Sequence, residues 1–248
     1  MLSYQHAYHA GNLADIHKHQ FLVKTLSKMV EKDKAISYVE THAGRGLYDL
    51  ESIEAQKTGE ANAGIKRVDL NDYDDNYIDI LDDVRQFYGD NAYPGSPMIA
   101  ANILRSYDQL YFAELHPQEF TALHQNFKGD KRIKSVREDG FEMALSIAPP
   151  KTKRGLVLID PSYEVKTEYY EIPKRIKQLH KKWNVAVIML WYPILPSMAH
   201  VEMLNTLEGM EFPKTYKDEV MFDSGLDNHR LKGSGLFVIN IPFGVGDE

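Results

Sequence analysis

The chain contains no cysteine. That excludes disulfides and thiolate metal sites, and it fits a reducing compartment. It also lacks a membrane-length apolar run. The longest, VAVIMLWYPIL at 185–195, falls well short of the ~20 residues a spanning helix needs. The opening MLSYQHAYHAGNLADIHKH has no apolar stretch behind a basic start, so it does not read as a signal segment. A cytoplasmic protein without a membrane partner is expected. Net positive charge is missing too: 29 basic against 36 acidic residues leave −7. A field of that sign does not favour indiscriminate coating of nucleic acid. There is no internal repeat and no low-complexity tract.

What remains is 248 residues with 43% hydrophobic content, enough for one large domain, or a domain carrying an insertion, that folds as a monomer. Charge is distributed unevenly. NDYDDNYIDILDD at 71–83 is acidic, whereas KGDKRIK at 128–134, KTKR at 151–154 and PKRIKQLHKKW at 173–183 are basic. Each basic run reads either as a solvated face or as a local footprint for a polyanion. Tyr169, Tyr170 and Trp183 interleave with the third.

Apolar spacing predicts a helix from Asp15 to Lys32, with Ile16, Phe21, Leu22, Leu26, Met29 and Val30 on one stripe. Strands are predicted in AISYVETHAG, QLYFAELHP, RIKSVREDG, GLVLIDP and NVAVIMLWYP, with helices over 118–127 and 164–182 between them. TYKDEVMFD and GLFVINIPF form a late antiparallel pair. Strands alternating with helices imply an α/β, doubly wound sheet. Residues 48–93, with a polar helical pattern at 76–88 and a Pro/Gly loop behind it, are read as a small helical insertion, so the main domain comprises 1–47 and 94–248.

In such a sheet ligands lie at the carboxyl ends of the strands. The first strand runs into ETHAGRG, an acid followed by Gly44 and Gly46 in a turn that passes close to a ligand. The second ends at Glu114, placed like an acid that accepts bonds from ribose hydroxyls or like a plain surface acid. The third ends at Asp139-Gly140, which suits an adenine edge or a common turn. The fourth ends in Asp160-Pro161-Ser162-Tyr163. Pro161 cannot donate to a ladder and keeps Asp160 extended, so a carboxylate and a carbonyl arrive together beside an aromatic ring. An exocyclic adenine amine is a poor nucleophile because its lone pair is delocalised. Two acceptors, Asp160 and the Pro161 carbonyl, orient such an amine toward an electrophilic methyl, while Tyr163 stacks on the extruded base. The competing role for Asp160 is a helix cap.

With these motifs in place, the chain resembles the class I S-adenosylmethionine-dependent methyltransferases acting on adenine N6, and among them the bacterial 23S ribosomal RNA adenine-N6 methyltransferases of RlmJ type. The resemblance runs along LSYQHAYHAGNLADIHKH, THAGRG, YPGSP, AELHP, EDGF, LIDPSYE and LWYP in that order. It implies a Rossmann-like sheet, S-adenosylmethionine as cofactor and 23S ribosomal RNA, free or in early assembly, as partner. It further implies His19, His42, Ser96, Glu114, Asp139 and Gly140 as cofactor contacts, Asp160 as catalytic acceptor, Tyr4 and His6 as substrate contacts, and Lys18 near the same site. Two features depart from the pattern. Ser162 stands where the family has a second proline, and the chain ends soon after FVINIPFGVGDE, from which an incomplete last sheet edge is expected.

His6, His9, His17 and His19 raise metal binding as a rival. On a helix, positions 17 and 19 point ~200° apart and do not share an ion, so no metal is expected. Packing against cofactor or phosphate suits these histidines better, with a satisfied structural role as the alternative for His9 and His17. Two other functions share these features: a DNA adenine-N6 methyltransferase, since a flipped adenine does not reveal its sugar, and a nucleic-acid-binding protein without turnover.

Overall fold

Residues 4–222 and 231–246 are described by a computed structural model. In chain order, α1 (Leu13–Val30) is followed by β1 (Ser37–Glu40), β2 (Leu47–Asp49), α2 (Ile53–Thr58), α3 (Glu60–Ala63), α4 (Asp75–Tyr88) and β3 (Ala92–Pro94). Then come α5 (Ser96–Ile103), β4 (Gln109–Ala113), α6 (Pro117–Asn126), β5 (Ile133–Val136), α7 (Gly140–Ile147), β6 (Gly155–Ile159) and α8 (Glu168–Lys182). The chain closes with β7 (Val187–Ile194), α9 (Ala199–Glu208), β8 (Tyr216–Met221) and β9 (Gly233–Ile239).

Seven strands form one sheet in the order β5-β4-β1-β6-β7-β9-β8. The first five lie parallel, and β9 runs antiparallel to both β7 and β8. This is a Rossmann-like, doubly wound α/β sheet with an antiparallel pair at one edge. The branched runs form strands because both faces are covered: Leu156 and Leu158 point into one apolar layer, and Val157 and Ile159 into the other. The first layer holds Leu22 and Leu26 of α1 with Ile99 of α5. The second holds Phe141 of α7, Ile176 of α8 and Leu207 of α9. Strand order reverses at β1, which pairs with β4 on one side and β6 on the other. A crevice therefore opens beyond the carboxyl ends of β1, β4 and β6.

Two helix starts differ by two residues or more from those read in the sequence, and one expectation for the sheet is not met. α1 begins at Leu13 because the Asn12 side chain accepts a bond from the Asp15 amide and sets the N-cap there. α8 begins at Glu168, since 161–167 form the loop behind the strand-end proline. The expected incomplete edge is not found, for β8 pairs with β9 from Tyr216 to Met221. Asp223, expected as the last residue of that strand, lies outside the described residues, as do Leu2 and Ser3 of the opening motif. Among the described residues no helix is long and apolar enough to cross a membrane.

The stretch 48–93 is fastened at its base by the antiparallel pairing of β2 with β3. Its apolar residues Leu50, Ala61, Ile65, Tyr77 and Leu81 join the same core as Leu22 and Leu26. We propose that it is a subdomain without a core of its own. It docks on the N-terminal segment through Gly64: a Cβ there would lie 2.1 Å from the Gly11 carbonyl oxygen, and the next amide, Ile65, donates to that oxygen at 2.8 Å. Gly64→Ala should therefore destabilise the protein by ~1–3 kcal/mol, the cost of overpacking a tight contact. Urea unfolding reads this, and an unchanged midpoint and slope would contradict the docking.

Candidate active site

The crevice holds a cavity of about 500 Å3, within the range of small-molecule and cofactor sites. Asp160 stands at its wall, delivered by the fully buried β6. The Lys18 ammonium lies 2.5 Å from Asp160 Oδ2 and 3.2 Å from Asp15 Oδ1. It also sits 5.7 Å from the centre of the Trp191 ring. Asp15 and Lys18, three residues apart, share one face of α1. Burial would tend to discharge Lys18, but Asp160 and Asp15 raise its pKa above the ordinary value and keep it charged. Burial would likewise push Asp15 up, yet His6 and Lys18 hold it well below the usual carboxylate range.

Because Asp15 is ionised, His6 donates to it through Nε2–H at 2.8 Å. Nδ1 is then the acceptor for the Tyr4 hydroxyl at 2.8 Å, whose own pKa is raised by burial and by Asp15 and Asp160. The four sequence-predicted residues Tyr4, His6, Lys18 and Asp160 thus form one chain of hydrogen bonds, closed through Asp15.

Tyr163 takes a left-handed backbone (φ 55), uncommon for an aromatic residue. The surroundings hold it there. Its hydroxyl donates to the Trp191 carbonyl at 2.8 Å, its ring packs on Tyr169 with centroids 4.6 Å apart, and the Glu168 carboxylate bonds to its backbone. The ring is 8% exposed, a fixed part of the wall beside Asp160 and Pro161. Ser162, in the place of the family's second proline, also lines the cavity.

The other half of the site is made by loops after β1, β4 and β5. Gly44 has φ 59, and its amide donates to Glu114 Oε2 at 2.8 Å while the His116 amide donates to Oε1 at 2.7 Å. Burial raises the Glu114 pKa. Asp139 caps α7 by accepting from the Phe141 and Glu142 amides through Oδ1. At Gly140 a Cβ would fall 1.9 Å from the Thr41 carbonyl oxygen, so the loops after β5 and β1 touch through a glycine that admits no side chain. Ser96 donates to Glu40 Oε1 at 2.5 Å, and Tyr38 donates to Oε2 at 2.8 Å. Burial pushes Glu40 up to about 8. His42 bonds Thr41 Oγ1 at 2.7 Å and is pushed down to about 4 by burial. His19 faces Tyr93 at 3.0 Å and falls to about 3 for the same reason.

Every residue predicted for the site lines this one cavity. Sequence reading assigned no role to Asp15 or Trp191, although Asp15 was open to detection by its spacing of three from Lys18 and Trp191 lay within LWYP. Glu40, read as the acid of ETHAGRG, does not line the cavity but bonds Ser96 and Tyr38 behind it. His17 points elsewhere, to Ser234 at 2.8 Å and Asp218 at 3.3 Å. Among the described residues no group of three or more acidic, histidine or cysteine side chains is arranged for a metal. The basic run 173–183 follows α8 away from the cavity. Lys182 bonds the Leu145 carbonyl, roughly 20 Å of helix from the site end by the 1.5 Å rise per residue.

Among the described residues the cavity lining contains seven carboxylates (Asp15, Glu60, Glu114, Glu119, Asp139, Asp160, Glu168) and one ammonium, Lys18. With His19 and His42 neutral, it favours a cation that also carries hydroxyl and amino donors. The pKa of His19 yields a prediction. Its unfolded-state value is near the ordinary 6.5 and its folded value about 3, so stability present above 6.5 is lost as pH falls toward 3. Melting temperature should fall less between pH 7 and 5 in His19→Gln than in the parent; parallel curves would contradict the buried neutral imidazole.

The family model described as ribosomal RNA large subunit methyltransferase D, RlmJ, matches residues 33–248. The chain is 37% identical to ribosomal RNA large subunit methyltransferase J of Escherichia coli over 98% of its own length and 88% of the relative's. It is likewise 37% identical to the protein of that name from Haemophilus influenzae, with the same shares. A crystal structure of protein LPL1258 from Legionella pneumophila superposes with a TM-score of 0.83 at 36% identity, covering 95% of this chain and 88% of that one.

Proposed function

This chain belongs to the RlmJ family of ribosomal RNA large subunit methyltransferases, and from that premise we propose that it transfers a methyl group from S-adenosylmethionine to N6 of an adenine in 23S ribosomal RNA. The observation that carries the reading is Asp160-Pro161 at the end of a buried strand, beside Tyr163, with Asp160 held by Lys18. The acidic lining suits a sulfonium cofactor. Glu114 stands where ribose hydroxyls would be met and Asp139-Gly140 where an adenine edge would be; Ser96, His19 and His42 complete that side without adding positive charge.

When bound, the cofactor supplies the electrophilic methyl. Lys18 fixes one oxygen of Asp160, so the other is offered to an N–H of the substrate amine, and the Pro161 carbonyl takes the second. With both N–H groups held, the nitrogen lone pair is directed at the methyl carbon. With the cofactor bound, its S–C bond would break as the N–C bond formed, and Asp160 is the adjacent carboxylate placed to take the proton that the nitrogen would then shed. Tyr163 and Tyr4 confine the base, and His6 orients Tyr4. The same acidic lining repels phosphates, so only the extruded base enters while the RNA backbone stays at the rim. The protein works as a monomer in the cytoplasm, on free or early-assembly RNA.

Two measurements test this. Asp160→Ala should lower single-turnover methyl transfer to large-subunit ribosomal RNA by ~10²–10³ at saturating cofactor, measured well below a melting temperature that is itself lowered by the loss of a Lys18 partner; a parental rate would remove Asp160 from the chemistry, and transfer to DNA instead of RNA would change the substrate. Glu114→Ala should weaken S-adenosylmethionine binding in calorimetry by about 1.5–3 kcal/mol, the loss of a charged hydrogen-bond acceptor. Unchanged affinity would displace Glu114 from the ribose.

A further inference from the structure

Tyr4 is fixed at three points. Its hydroxyl bonds His6 Nδ1, its backbone N–H donates to Glu164 Oε2 at 3.1 Å beside the catalytic loop, and one face of its ring lies on the His9 imidazole. The two rings are 5.4 Å apart between centroids and within 5° of parallel. His9 in turn is bonded through Nδ1 to Glu60 Oε1 at 2.7 Å, and Asn12 donates to Glu60 Oε2 at 2.9 Å. Glu60 is 8% exposed and belongs to α3 of the insertion, 51 residues further along the chain. The insertion grips the same N-terminal segment elsewhere: Thr58 Oγ1 donates to the Tyr8 carbonyl, and the Lys57 ammonium lies over the Tyr8 ring at 5.6 Å.

A carboxylate buried this far from its own helix's surface must be bonded at both oxygens, and here both bonds go to the segment that carries Tyr4. The ring of His9 covers one face of Tyr4, which lines the same cavity as Asp160. We propose that the insertion serves the reaction by building a shelf: Glu60 holds His9, and His9 sets the plane of the Tyr4 ring against which the extruded adenine stacks. Both are positioning residues, since neither touches the reacting atoms. This rests on the reading of Tyr4 as a base contact.

The test is steady-state methyl transfer to large-subunit ribosomal RNA lacking the modification, with S-adenosylmethionine affinity and melting temperature measured on the same samples. His9→Ala should raise KM for RNA about 3- to 10-fold, the range of one aromatic pair, with kcat nearly parental and cofactor affinity unchanged. His9→Phe, which restores a ring face without the bond to Glu60, should recover most of that loss, and Glu60→Gln should fall between parent and His9→Ala. Tyr4→Ala is the control, and should raise KM at least as much as His9→Ala. A raised KM in Tyr4→Ala with parental KM in His9→Ala and Glu60→Gln overturns the shelf alone. So does a loss equal in His9→Ala and His9→Phe, or one confined to kcat with a lowered melting temperature. A parental KM in Tyr4→Ala overturns the shelf together with the reading beneath it.

Discussion

The Lys18 ammonium lies in a place from which water has been almost wholly removed, and a cation there is tolerable only between carboxylates. Asp15 on one side and Asp160 on the other supply them. Breaking such an arrangement by deleting one partner typically costs 3–5 kcal/mol, about the size of many single-domain stabilities' margin. The dependence runs outward in every direction. Asp15 is kept ionised and so fixes the proton on His6 and the direction of the Tyr4 hydroxyl. Asp160 is kept in the one orientation that faces the cavity. The Trp191 ring beneath the ammonium is itself held by a bond from its Nε1–H to Ser234, whose oxygen also bonds His17. Through that one charge the N-terminal segment, α1, the loop after β6 and the β7–β9 pair become a single object.

The electrostatics of the cavity explain how a protein with a net charge of −7 can act on a polyanion. Carboxylates dominate the described lining, and burial lowers the pKa of His19 and His42, so the interior is a poor place for phosphate. Recognition of RNA must then be local and outside the cavity. Lys181 and Lys182 lie at the end of α8 away from Glu168, which lines the cavity, whereas the insertion and the N-terminal segment flank the cavity directly.

Much of this was legible in the sequence because strands covered on both faces leave unbroken branched runs, and because a doubly wound sheet places its ligands at predictable strand ends. Glu114, Asp139 and Asp160 were found by position alone, and the separation of His17 from His19 by helical period. Other features were not legible, for reasons that are physical. Nothing local marks Glu60 as the partner of His9, since only the docking of Gly64 against Gly11 brings them together. The pairing of Glu40 with Ser96 spans 56 positions and depends on how α5 approaches β1. Tyr163 was read as a platform for the base; its left-handed backbone and its bond to the Trp191 carbonyl are set by the second apolar layer, which no reading of DPSY contains. The start of α1 moved by two residues because a cap, not the apolar stripe, decides where a helix begins.

The chemistry proposed for this site falls on the exocyclic nitrogen of one adenine in large-subunit ribosomal RNA. The direct measurement is transfer of labelled methyl from S-adenosylmethionine to RNA isolated without the modification, followed by digestion to nucleosides and mapping of the labelled position. The account predicts label as N6-methyladenosine at a single site. Label on a ring nitrogen, on a ribose hydroxyl or on another base would contradict it.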